Sequence, residues 1–277
     1  MDLTRELTVA EQLAREAGEL TKRYFGSGIS VEYKAEGEGP VTRADREANA
    51  LLVAGLRAAF PGDGLLSEEL PDDGSRRRCS RVWMVDPLDG TKDFIRGHHG
   101  FSVMIGLLVD GRPALGVVFQ PTVGLLYRAA RGCGTEMVGA AGHVERLRVS
   151  SVSDPGQIRL VASKSHRSET IDRVRQALGV VDEMNIGSVG LKLGLIARGE
   201  RDLYVNPNSL SSLWDTCGPE AVLMEAGGQL TDLHGAPLDY TGETLKNEHG
   251  LVASNGAVHG AVIERIRPLF PPGTIPV

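Results

Sequence analysis

The run Asp86-Pro87-Leu88-Asp89-Gly90-Thr91-Lys92-Asp93-Phe94 concentrates the chemistry of this chain. It follows Val82-Trp83-Met84-Val85, an unbroken apolar run of the kind that forms a strand buried on both faces. Asp86 and Asp89 therefore leave a strand end with only a proline and a leucine between them. Pro87 fixes the backbone there, and Gly90 permits a sharp turn. Two aspartates held close repel each other, which raises one pKa unless a cation intervenes. Hard oxygen donors of this kind suit Mg²⁺. The Gly90 and Thr91 amides, opening a short helix, are placed to hold a phosphate. Asp-Gly alone means only a turn, whereas the nine-residue string behind a buried strand is far more specific.

Further acidic segments lie elsewhere: Leu65-Leu66-Ser67-Glu68-Glu69, Trp214-Asp215 with Glu225-Ala226-Gly227-Gly228 downstream, and Pro40-Val41-Thr42-Arg43-Ala44-Asp45. Each has a plainer reading. Thr42 and Asp45 have the spacing of a capping box, a role that can coexist with catalysis. Asp215 fits a helix cap, and adjacent glutamates are usually surface charges. Their joint occurrence, in order, with the nine-residue string defeats the separate readings. Together the segments resemble the inositol monophosphatase superfamily of Mg²⁺-dependent, often Li⁺-sensitive phosphatases over nearly the whole chain.

The resemblance implies a layered αβαβα sandwich of the sugar-phosphatase type. It implies that Glu68, Asp86, Asp89 and the carbonyl of Leu88 bind metal, that Asp215 binds a second metal, and that Glu69 sits behind them or holds a third, weaker one. Two or three Mg²⁺ ions would be held, with Mn²⁺ a substitute and Li⁺ an inhibitor. Gly90, Thr91 and Lys92 would receive the phosphate. Thr91, coupled to Asp45 or Glu68, would orient and deprotonate the attacking water in an in-line displacement.

Within the superfamily the details lean toward 3′(2′),5′-bisphosphate nucleotidases, which act on 3′-phosphoadenosine 5′-phosphate. Lys92-Asp93-Phe94 after Asp-Gly-Thr, Ser163-Lys164-Ser165-His166, Gly187-Ser188 followed by Lys192, and Gly235-Ala236-Pro237-Leu238-Asp239-Tyr240 carry this resemblance. Ser165, His166, Ser188, Lys192 and Asp215 are the substrate contacts it implies. Lys192 and Arg167 could offset a second phosphate. The stretch after Tyr204 reads Val205-Asn206-Pro207-Asn208, without the arginine such nucleotidases often carry and without the glutamate of inositol phosphatases. Inositol-1-phosphate, fructose bisphosphate and histidinol phosphate therefore stay open as substrates. A non-catalytic phosphate-metabolite sensor would be expected to lose a metal ligand or the threonine, and all are present.

The elements that must position these residues are legible in part. Apolar residues at three- and four-residue steps predict helices over Thr4 to Tyr24 and Arg43 to Phe60. An antiparallel meander is expected over Phe101 to Val109, Ala114 to Gln120 and Leu125 to Ala130. After about residue 155 strands and helices alternate, with helices near Glu169 to Leu178, Val189 to Ala197, Thr216 to Ala226 and Val258 to Ile266. The expected division is an α+β domain over residues 1–154 with most metal ligands and an α/β domain over residues 155–277 with Asp215 and the substrate contacts. The basic cluster Arg76, Arg77, Arg78 and Arg81 reads as a solvated loop, and the tail from Pro268 to Val277 as extended.

The 277 residues, 41% apolar and with a net charge of −6, suffice for a packed core and give no general attraction to nucleic acid or anionic membrane. Cys79, Cys133 and Cys217 are odd in number and form no C-x-x-C pair, which fits a reducing compartment. No uncharged apolar run is long enough to span a bilayer. A soluble, cytoplasmic monomer or homodimer acting on a small phosphate ester is expected. Gly132-Cys133-Gly134 hints at a dinucleotide loop, but Thr135-Glu136-Met137-Val138 breaks the spacing.

Overall fold

In the computed structural model the described residues are 1–34, 39–164 and 169–271. Helices α1 (Thr4–Tyr24) and α2 (Arg43–Ala59) flank a short antiparallel pair, β1 (Val31–Tyr33) and β2 (Pro40–Thr42). Then come β3 (Gly64–Ser67), β4 (Arg81–Asp89), the single-turn α3 (Thr91–Ile95), β5 (Ser102–Val109), β6 (Arg112–Gln120), β7 (Leu125–Ala130), β8 (Gly134–Val138) and β9 (Val144–Leu147). Strands β3 to β9 form a seven-stranded sheet in chain order. Only β3 and β4 pair in parallel. The remainder gives β10 (Arg159–Ser163), α4 (Glu169–Leu178), β11 (Asp182–Ile186), α5 (Val189–Ala197), β12 (Leu203–Asn206), α6 (Leu213–Glu225), β13 (Gln229–Thr231), β14 (Leu251–Ser254) and α7 (His259–Ile266). Its five strands run in the order β11-β10-β12-β14-β13.

Period-two burial divides each sheet between two cores. Trp83 and Val85 of β4 face Ala10, Leu13, Ala48 and Leu52 of α1 and α2. Val82 and Met84 face the opposite way, onto Val189, Leu193, Leu213 and Cys217 of α5 and α6 and onto Tyr204 and Ala253 of the second sheet. The far face of the second sheet packs Leu160, Leu203 and Val252 against Ile171, Val174, Val262 and Ile266 of α4 and α7. The layers are therefore α1/α2, sheet, α5/α6, sheet, α4/α7, the expected αβαβα sandwich.

Helix α6 lies so close to the first sheet that side chains are excluded. A Cβ on Gly116 would sit 2.0 Å from the Gly218 carbonyl oxygen, and one on Gly106 would sit 2.5 Å from the Gly218 nitrogen. This contact fixes the height of the helix that carries Asp215.

Four features differ from the sequence expectation. Helix α6 begins at Leu213, not Thr216, because Ser212 and Asp215 close a capping box. The basic cluster is solvated only in part: Arg77 and Arg78 are exposed, but Ser75–Arg77 is a 3₁₀ turn and buried Arg76 bonds Asp72 and the carbonyls of Tyr240 and Glu243. Strands β1, β2, β3, β8, β9 and β11 were not predicted, and Gly132-Cys133-Gly134 belongs to the tight β7–β8 turn, with Cys133 N bonded to Ala130 O at 2.8 Å. Arg267–Leu269 forms a 3₁₀ turn rather than extended chain.

Gly116→Ala is expected to cost about 1–3 kcal/mol, as overpacking against a fixed backbone does. Gly62→Ala, with nothing within 4 Å of its Cβ, should stay within about 0.5 kcal/mol. Urea unfolding of the two variants checks this; equal midpoints would show that the helix–sheet contact is not tight.

Candidate active site

Asp86 and Asp89 are three residues apart, a spacing that on a regular strand sends side chains to opposite faces. The register resolves this. Asp86 pairs with Met104 but Asp89 with Ser102, so three steps along β4 match two along β5. The extra residue is a β-bulge, which returns Asp89 to the face of Asp86. Pro87, unable to donate to a ladder, lies within it. Gly90 then turns the chain at φ 98°, a left-handed conformation that opens α3. A Cβ there would also meet the Gly100 carbonyl at 2.7 Å.

Strand β3 places Ser67 beside Val85, and Glu68 N donates to Val85 O at 3.2 Å. Glu68 therefore leaves its strand end next to Asp86. Asp215 arrives from the second half of the chain as the third residue of α6, accepting Ser212 N at 2.8 Å. Asp45 holds the same position in α2, where Oδ2 accepts Thr42 N at 2.8 Å and Thr42 Oγ1 at 2.6 Å. Its other oxygen is left for Thr91, whose hydroxyl lies 3.2 Å from Asp45 Oδ1 and 3.1 Å from Leu88 O. Asp45 and Asp215 thus each close a capping box as the third residue of a helix, with Ser212 and not Asp215 as the N-cap of α6, and the one lies behind Thr91 while the other lines the cavity.

One cavity of about 680 Å³ is lined by Glu68, Glu69, Asp86, Leu88, Asp89, Gly90, Thr91, Lys92, Ser188, Lys192 and Asp215. Asp45 lies behind Thr91 and is buried. Ser165 and His166, expected as substrate contacts, and Arg167 lie outside the described residues.

The carboxylates strain one another electrostatically. Burial, then the charges of Glu68, Asp89 and Asp215, hold Asp86 well above the usual carboxylate range. Burial, then Asp89 and Glu68, push Asp215 up to about 8. Burial likewise raises Asp89, against the pull of Lys192 and of bonds from Ser188 and the Gly190 amide. Asp45 is raised by burial although Thr42 opposes it, and Glu69 by burial and by Glu68.

Two lysines that complete this balance carry no motif of their own around the acids. Lys34 Nζ stands 2.7 Å from Glu68 and 2.6 Å from Glu69. Burial would lower its pKa, but the two glutamates raise it. Lys192 is buried, its ammonium bonded to the carbonyls of Gly187 and Ser188 and lying 5.1 Å from the Tyr204 ring centroid. Burial lowers it to about 8, against Asp89, Asp93 and Asp215. Sequence reading named Lys192 but missed Lys34 and Tyr204. A lone lysine after Val31-Glu32-Tyr33 carries no signal by itself.

Among the described residues no three acidic, histidine or cysteine side chains already stand at the spacing to cage an ion, and the Lys34 ammonium lies between the two glutamates. The donor chemistry nevertheless fits a hard divalent cation. Every acid on the wall offers oxygen, and the mutual repulsion that raises Asp86 and Asp215 is what a cation would relieve.

The layered α/β fold and the acid-walled cavity define the class: a hydrolase scaffold suited to a hard metal ion and a small anionic ester. The model of the inositol monophosphatase family matches residues 2–269, and the chain belongs to that family. It is 36% identical to a 3′(2′),5′-bisphosphate nucleotidase, CysQ, from Salmonella typhimurium, over 83% of this chain and 92% of that one. It is 33% identical to a histidinol-phosphatase from Chlorobaculum parvum, over 95% and 97%. An IMPase structure from Thermotoga maritima superposes with a TM-score of 0.81 at 25% identity, over 96% and 98%. The chain is accordingly a phosphoric monoester hydrolase of a metal-dependent family, and none of its described helices is long and apolar enough to cross a membrane.

In metal-free protein the raised acids fix a pH dependence. Asp215 binds its proton up to about pH 8 when folded, from an ordinary value of 3.8, so its contribution to stability falls as pH rises through that window. His259, lowered to about 4 by burial, contributes the opposite slope only below its ordinary 6.5. Urea midpoints of chelator-treated protein are therefore expected to fall between pH 6.5 and 8, and Mg²⁺ to raise them more at pH 8 than at pH 6.5. A shallower profile in Asp215→Asn ties part of the slope to this residue, with Asp86 and, up to about pH 7, Glu220, both raised by burial, supplying the rest; a flat profile in the parent protein would show that the acids do not strain one another.

Proposed function

We propose that this chain is a Mg²⁺-dependent phosphatase that hydrolyses 3′-phosphoadenosine 5′-phosphate to AMP and phosphate. The observation that carries it is the convergence of Glu68, Asp86, Asp89 and Asp215 on one cavity beside Gly90 and Thr91. The nucleotide is supported by likeness to the Salmonella typhimurium nucleotidase and by lysines on the cavity wall, which suit a doubly phosphorylated substrate.

In this reading Glu68, Asp86, Asp89, Asp215 and the Leu88 carbonyl hold two Mg²⁺ ions, and Glu69 a third, weaker one; Mn²⁺ can replace Mg²⁺, and Li⁺ inhibits. Bound there, the cations would lower the pKa of water and offset charge on the phosphoryl and leaving oxygens. The rest falls to the chain. Thr91 Oγ1 donates to Asp45 Oδ1, which turns a lone pair toward the attacking water and orients it. The water's proton passes toward Thr91 Oγ1 and Asp45, whose burial-raised pKa suits it to hold a proton. The free N–H groups at the start of α3, from Gly90 and Thr91, stabilise the equatorial oxygens. Lys92 and Ser188 face the same phosphate, and Lys192 keeps the Gly187-Ser188 turn in place. The active unit is a monomer or homodimer.

A second reading, histidinol phosphate as substrate, is favoured by the longer coverage of the Chlorobaculum parvum relative. Inositol-1-phosphate follows from the Thermotoga maritima likeness.

A phosphate-release panel separates these. 3′-Phosphoadenosine 5′-phosphate is expected to be cleaved at least tenfold faster than histidinol phosphate, inositol-1-phosphate or fructose 1,6-bisphosphate, only with Mg²⁺. A reversed order would replace the nucleotide by the faster ester. Asp89→Asn should fold and lose activity by a factor of about 10² or more, the scale set by removing one charge-stabilising group. Parent-like turnover in that variant would remove Asp89 from the metal site.

A further inference from the structure

The cavity is unevenly charged, and this points to a specificity residue. Of the cations that line the cavity, Lys34 is taken up by Glu68 and Glu69, Arg46 by Glu32, Lys192 is buried against two carbonyls, and Lys92 follows Gly90 and Thr91 at the start of α3. Lys246 lines the same cavity in a different state. Its Nζ donates to a neutral acceptor, Ser212 Oγ, at 3.0 Å, and the residue is otherwise exposed. The hydrogen bond of this ammonium thus goes to a hydroxyl, and Asp215, whose pKa it pulls down, is the carboxylate that feels its charge.

Its position is built rather than incidental. Residues 211–213 and 245–247 zip together: Leu213 N donates to Leu245 O at 2.9 Å, Asn247 N to Ser211 O at 2.9 Å, and Ser212 and Lys246 form an antiparallel bridge. Asn247 Nδ2 adds bonds to Ser211 Oγ and Ser212 O. The bridge ties Lys246 to the cap of α6, so its distance from Asp215 is set by the backbone. The neighbouring rim segment, Val205-Asn206-Pro207-Asn208, supplies no cation.

Resting on the nucleotide reading above, we propose that Lys246 is the specificity residue for the second, non-reacting phosphate of the substrate, exchanging its Ser212 bond for a charge-assisted one. An ester with a single phosphate presents nothing to it. A lysine suits this task, being a mobile point charge on a flexible stem.

The test compares Lys246→Gln and Lys246→Arg with the parent enzyme on 3′-phosphoadenosine 5′-phosphate and on adenosine 3′-monophosphate, with Mg²⁺ saturating. For the bisphosphate, Lys246→Gln is expected to raise KM about tenfold with kcat within twofold, and Lys246→Arg to restore most of the loss. For the monophosphate, kcat/KM should stay within twofold in both variants. A similar fall for both esters would overturn the proposal and make Lys246 a structural prop of the α6 cap. An unchanged KM for the bisphosphate would overturn it as well. If the parent enzyme cleaves neither nucleotide but cleaves histidinol or inositol phosphate, the nucleotide reading itself falls and takes this inference with it. A parent enzyme active on both nucleotides with an indifferent Lys246 sinks the inference alone.

Discussion

Gathering several carboxylates on one wall, out of bulk water, is the constraint that the rest of the structure serves. Left alone, such groups neutralise themselves by taking up protons, as the upward displacement of Asp86 and Asp215 records. The fold opposes this with fixed donors. Asp215 sits at the positive end of α6 and accepts a backbone amide, Asp89 takes the Gly190 amide, and Asp86 takes Leu88 N at 2.9 Å. Lys34 supplies its charge to Glu68 and Glu69, and Lys192 to Asp89 and Asp215. These contributions are partial, and the remaining repulsion is what a bound cation would relieve.

Positioning depends on contacts that exclude side chains. The bulge at Pro87 turns two aspartates to one face, and the glycine contacts between α6 and strands β5 and β6 bring the third aspartate up to them. Gly100 and Gly187 do the same around Asp93: a Cβ on Gly187 would lie 2.0 Å from the Gly100 carbonyl oxygen, so the Ser188 turn rests directly on the loop after α3. Acids from distant parts of the chain meet because backbone, not side chain, forms the joints. Longer residues at those joints would separate the two halves of the cavity.

Much of this was legible in the sequence. The long amphipathic helices, the meander and the order of the acidic segments each follow from local pattern, since periodicity and turn residues act over a few neighbours. The capping box of Thr42 and Asp45 was also readable, because a capping box is a spacing; that of Ser212 and Asp215 was not, since the sequence expectation started α6 at Thr216. The bulge was not: Asp86 and Asp89 at an odd separation would be placed on opposite faces by alternation alone. Nor were the short strands β3 and β11. The first carries the motif Leu65-Leu66-Ser67 behind a turn, and the second, Asp182-Glu183-Met184-Asn185-Ile186, is a polar edge strand whose pairing is supplied by β10. Arg76 was misread because its burial is decided by carbonyls some 160 residues away, at Tyr240 and Glu243.

The same division explains why reaction class is easier to read than substrate. The acid wall recognises what all phosphate esters share, so its residues come as compact motifs on strand ends and helix caps. In the proposed reading the leaving group meets another part of the cavity, lined by the end of β12, the segment that follows it, Leu245 and Lys246. Those residues owe their places to tertiary pairing, such as the Ser212–Lys246 bridge, and carry no spacing rule. A substitution there would alter the charge offered to the far end of the substrate while leaving every acid of the wall in place. Divergence of substrate within one fold therefore requires few changes, and relatives of similar identity can carry different esters on one catalytic wall.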